Sequence, residues 1–161
     1  MRRTGLVSLS LLLLSLPISA QGSSGQDKLP ADLKVGDSLA WGWDMIKGCT
    51  SQIFVLDEAT ALAIEKDGPS AFATMSRLMD GSQWRYAEWQ QTPVDSDSQA
   101  SWSVDGYVWG GLACGLNAEW QAKSTHIGTT PGAYYSFGRG VLLLVDPSQR
   151  LVVFTRRDSL H

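Results

Sequence analysis

Val141-Leu142-Leu143-Leu144-Val145 and Leu151-Val152-Val153-Phe154-Thr155 stand on either side of Asp146-Pro147-Ser148-Gln149. Two short apolar runs separated by a turn with proline at its second position predict a β-hairpin. Both arms are almost wholly apolar instead of alternating, so the hairpin is expected at the centre of a sheet and covered on both faces.

Upstream, Gln52-Ile53-Phe54-Val55-Leu56 reads as another buried strand, and Asp57 after it as a helix N-cap. Ala59, Leu62, Ala63 and Lys66 continue a helix that Gly68 can end, and Pro69 is placed to open a second one. Phe72, Met75, Leu78 and Met79 give that second helix an apolar stripe of core type. Gln83 to Gln90 reads as extended, with Trp84, Tyr86 and Glu88 on one side and Arg85, Ala87 and Trp89 on the other. Trp102, Val104 and Tyr107 to Trp109 suggest a further strand, as does Trp120 to Ile127. Between Leu29 and Ile46 the apolar spacing fits a helix and Ser38 to Trp43 alternates, so both assignments stay open there. The expected architecture is α+β: an antiparallel sheet with a C-terminal hairpin, two short helices packed on one face and a single disulfide.

The beginning of the chain carries an address. Arg2 and Arg3 precede an apolar run from Leu6 to Leu16 and a small-residue stretch ending at Ala20, the pattern of a secretory signal peptide over residues 1–20. That run is about half the length of a membrane span, and no longer one follows. Residues 21–30 are polar and glycine-rich and read as a flexible leader, leaving 31–161 as one globular domain. Removing Arg2 and Arg3 from the 13 basic residues leaves 11 against 16 acidic ones, a formal charge of −5. This balance argues against a nucleic-acid binder. Asn117 lies outside any glycosylation sequon, which favours a bacterial periplasmic or secreted setting.

Cys49 and Cys114 are the only cysteines. In an oxidising compartment an even count pairs, and a bridge over so long a loop stabilises by roughly 4 kcal/mol in the chain-entropy picture. The rival reading makes Cys114 a nucleophile served by His126.

Candidate chemistry is sparse. Asp95-Ser-Asp97-Ser-Gln99 opens like a calcium loop, but Ala100 replaces the turn glycine and Gly106 the closing glutamate, so no metal or other cofactor is expected. Glu58, Glu65, Glu88, Asp105 and Glu119 are dispersed and form no evident acid pair. Seven tryptophans, at 41, 43, 84, 89, 102, 109 and 120, are a heavy load for so short a chain: packing of a small exported domain accounts for them, and exposed ones would serve recognition of sugars or a protein partner. Together these features point to an exported, non-enzymatic protein that binds another protein of the cell envelope, as an inhibitor or immunity factor against a hydrolase. Asp95, Asp97, Trp102 and Asp105 are its expected contacts. A cell-wall or polysaccharide binder using exposed tryptophans, and a small hydrolase using His126, are the alternatives.

Overall fold

The computed structural model describes residues 25–75, 86–94, 114–138 and 140–157. Its centre is the expected hairpin: β5 (Val141–Asp146) pairs with β6 (Leu151–Arg157) from Val141 opposite Arg156 to Asp146 opposite Leu151. Around it, β1 (Val35–Asp44), β2 (Cys49–Leu56), β3 (Gln90–Gln91) and β4 (Tyr134–Gly138) complete a six-stranded sheet in the order β1-β2-β6-β5-β4-β3. Every neighbouring pair is antiparallel.

Alternation along the central strands divides the interior in two. Val141, Leu143, Val145, Val152 and Phe154 enter one core with Phe54, Leu56, Ile64 and Phe72. Leu142, Leu144, Leu151 and Val153 enter the other with Ile53, Leu116, Ile127 and Tyr135. An all-apolar hairpin is therefore what a sheet with two covered faces requires.

Helix α1 (Glu58–Asp67) covers the first face through Ala61 and Ile64. It starts where Asp57 accepts hydrogen bonds from the Thr60 backbone N–H at 3.0 Å and the Thr60 hydroxyl at 3.1 Å, which holds the Asp57 carboxyl below its ordinary pKa. It stops at Gly68, whose φ of 58° a side chain would disfavour. Pro69 then opens a single 3-10 turn, Gly68–Phe72, on the same face. Phe72 stacks on Trp89 at 4.2 Å between ring centroids. Leu78 and Met79 lie outside the described residues.

Three local expectations are corrected. Trp120 to Ile127 is not a strand but the middle of α2 (Ala118–Thr129), capped by Asn117 accepting from the Trp120 N–H at 3.0 Å. Its buried positions Ser124, Ile127 and Gly128, with half-buried Trp120, follow helical spacing and cover the second face. Of the stretch read as a strand before Gln90, Gln83 to Arg85 lie outside the described residues; among 86–89 there is no strand, and Tyr86 and Trp89 do not face opposite sides but share one core with ring centroids 6.3 Å apart. Ala87 is held to β4 instead, its N–H donating to the Phe137 carbonyl and its carbonyl accepting from the Ser136 hydroxyl. Residues 25–30, expected as part of a flexible leader, belong to the fold: Gly25–Lys28 forms a 3-10 turn and Leu29 is fully buried. Leu29 and Leu33 supply the apolar area that anchors this segment to the first core.

Candidate binding surface along strand β1

The open alternative between Leu29 and Ile46 resolves as strand over Val35–Asp44, and this β1 lies at one end of the sheet order. Its pairing with β2 is irregular before Ala40 and regular from Ala40 opposite Ile53 to Asp44 opposite Cys49. In the regular part Trp41 and Trp43 point to the first face. Trp41 is opposite Gln52, and Gln52 opposite Phe154; Trp43 is opposite Thr50, and Thr50 opposite Arg156.

Gln52 fixes what borders this grid. Its side-chain amide is buried, donates to the Ser38 hydroxyl at 2.9 Å and accepts from the Gly25 N–H at 2.8 Å. That clamp lays the Gly25–Lys28 turn over the Phe154 ring, so closely that a Cβ on Gly25 would meet the ring at 2.7 Å. Between the turn and the two indoles runs a trench of about 440 Å³. Thr50 and Phe154 line it together with the charged side chains of Asp27, Lys28 and Arg156. Lys28 and Asp27 form an ion pair at 3.6 Å.

The other side of β1 is closed by the disulfide. Cys49 and Cys114, 65 residues apart in sequence, are bonded with their Cα atoms 5.8 Å apart. The pairing removes the free thiol that a nucleophilic role for Cys114 would need. Gly42 is buried against Cys114, Gly115 and Leu116, and Gly115 lies on the main chain of Trp43. The bridge thereby holds a covering segment against the regular part of the outer strand.

Beyond Asp44 the chain turns. The Asp44 carboxylate accepts from the N–H groups of Ile46 and Lys47, both at 3.0 Å, and Gly48 takes a φ of 60°. This locked turn presents Met45, 71% exposed, and Ile46, 90% exposed. Trp41 is 61% and Trp43 52% exposed, and Leu39 is exposed as well. Five of the six large apolar side chains exposed among the described residues thus fall between 39 and 46, forming one ridge. Exposed apolar side chains grouped in one short segment are more informative than exposed leucines scattered singly.

The contacts expected from sequence, Asp95, Asp97, Trp102 and Asp105, lie outside the described residues, as do Trp84 and Trp109. Trp89 is buried, and Trp120 is half-buried under the Lys123 ammonium, 4.7 Å from the ring centroid. His126 is exposed on α2, and among the described residues its side chain has no hydrogen-bond or ion-pair partner to orient it. No group of three His, Cys, Asp or Glu side chains that could hold a metal occurs among the described residues. No described helix is long and apolar enough to cross a membrane. Alternation in Leu39-Ala40-Trp41-Gly42-Trp43 was the available signal for the ridge, but it cannot tell an exposed face from a covered one. Compared with protein-family models, curated proteins and solved structures, the chain matches none.

Proposed function

We propose that this is an exported, non-enzymatic binding protein of the periplasm or medium. It engages another protein of the cell envelope through the ridge from Leu39 to Ile46, as an inhibitor or immunity factor against an envelope-acting hydrolase. The observation that carries this reading is the concentration of exposed apolar side chains on β1 and on the turn after it, whose backbone is held by Asp44 and Gly48. A preformed apolar surface loses little freedom on docking, and aromatic and methionine side chains are enriched where proteins meet. The Cys49–Cys114 bridge supports an oxidising compartment, and the basic and apolar opening of the chain supports export.

The test is affinity capture of the oxidised protein in the native envelope fraction, beside a Met45→Ser/Ile46→Ser variant. One stoichiometric partner held by the parent and lost by the variant, at unchanged melting temperature, supports the reading. Equal recovery by both removes the ridge from the contact.

A further inference from the structure

We infer that β1 pairs edge to edge, antiparallel, with β1 of a second copy of this chain, about a two-fold axis beside Gly42. The ridge involved is that of the proposed function, but self-pairing needs no envelope protein, so the two readings fail separately.

The two ends of the sheet are unequal. At one end β3 is an edge of two residues, Gln90–Gln91, with Pro93 just after it, and so short an edge offers little to pair with. At the other end β1 is 10 residues long. Among the described residues its stretch Ala40–Asp44 forms a ladder with β2 alone, so alternate residues turn their N–H and carbonyl groups outward. That stretch has no proline, no lysine and no bulge, the devices that blunt an exposed edge. Its one charge is drawn aside: the Asp44 carboxylate accepts from the Ile46 and Lys47 N–H groups and pairs with the Lys47 ammonium at 3.7 Å.

The occupant that fits this edge is the same strand. Register shifts between Val35 and Ser38 and between Ser38 and Ala40 confine straight pairing to Ala40–Asp44, whose middle is Gly42. A two-fold axis there sets Ala40 opposite Asp44 of the second copy and Trp41 opposite its Trp43, with the same contacts in return. Asp44 then meets no acid. Odd-numbered positions stand opposite odd-numbered ones, so all four tryptophans share one face of the joined sheet as cross-strand neighbours. The other face at Gly42 is already closed by Gly115, which leaves the tryptophan face to carry the contact. Leu39, Trp41, Trp43, Met45 and Ile46 together leave open roughly 700 Å², close to the roughly 800 Å² that each partner gives to a standard interface. The short β3 edge stops the sheet from growing further, so the assembly closes at two copies. Below the dissociation constant the ridge is free, and above it the second copy covers it.

The experiment is sedimentation equilibrium of the oxidised protein from about 1 to about 500 µM, with hydrogen exchange at both ends of the range. The expected result is a monomer–dimer equilibrium with a dissociation constant between about 1 and about 100 µM. At the higher concentration amides within 40–44 exchange more slowly, while those of β4 are unchanged. Trp41→Lys sets a charge against Trp43 of the second copy and weakens the dimer by more than about ten-fold. Leu62→Lys, at the exposed apolar position on α1, leaves it unchanged. Trp41 is exposed, and an unchanged melting temperature shows that its variant folds. Met45→Lys, on the turn beside the strand, provides the second reading if it does not. A monomer throughout the range, a dimer indifferent to Trp41→Lys and Met45→Lys, or one weakened equally by Leu62→Lys overturns the inference. So does a dimer without slower exchange at 40–44, or growth beyond two copies.

Discussion

Gly42 and Gly115 pack main chain against main chain: a Cβ on Gly42 would stand 2.3 Å from the Gly115 carbonyl carbon. One on Gly115 would stand 2.2 Å from the Trp43 nitrogen. This contact, seated beside the Cys49–Cys114 bridge, lets a segment cross the outer strand without room for a single methyl group. Gly42→Ala is therefore expected to destabilise by about 2 kcal/mol or more, since main chain cannot yield as a side-chain tip can. Gly36→Ala is the control, because its Cβ would meet only Val55, at 3.9 Å. Urea denaturation of the three proteins checks both expectations.

Reduction should act on the same region from the covalent side. Replacing both Cys49 and Cys114 by Ala removes a cross-link over 65 residues and is expected to cost about 4 kcal/mol. Gly115 should then lose its hold on Trp43, so hydrogen exchange of the β1 amides is expected to accelerate more than that of β5 and β6. Equal acceleration throughout would show that the bridge acts only on the unfolded chain.

Much of this architecture is legible in the residues, and the failures have physical causes. The β5–β6 hairpin and the Asp57 cap announce themselves, one by length of apolar run and the other by a side chain that competes for a backbone N–H. Helix α2 does not, because the buried position midway between Trp120 and Ile127 is Ser124 and the stripe looks broken. Strand alternation would separate Tyr86 from Trp89, but among 86–89 there is no strand and both enter one core. The exposure of Trp41 and Trp43 depends on what lies over a sheet face, which local sequence does not encode.

Ser124 leads to a prediction of its own. Its side chain is fully buried on α2, and its hydroxyl has no hydrogen-bond partner among the described residues. Ser124→Ala removes an unsatisfied polar group and substitutes a better helix former. Thermal unfolding should show a gain of about 1 kcal/mol.

At the first helix, protonation opposes the cap. The Asp57 carboxyl is held below its ordinary pKa mainly by the Thr60 N–H, so its contribution to stability is present above the unfolded-state value and fades as pH falls through the lower folded one. Asp57→Ala should unfold at a lower temperature than the parent at pH 7, and the difference should shrink below about pH 4. Asp57→Asn keeps the acceptor oxygen and should follow the parent more closely at neutral pH. Melting curves of the three proteins across this range decide it.

The claim that the ridge is the contact surface is tested most directly by placing a photo-cross-linking residue at Ile46 and irradiating cells that export the protein. A second placement at Glu65, exposed on α1, serves as the reference. The account predicts one adduct of defined mass from position 46, suppressed by excess unlabelled parent protein and missing from position 65. Adducts of equal yield from both positions, or none from Ile46 while other surface positions cross-link, would contradict it.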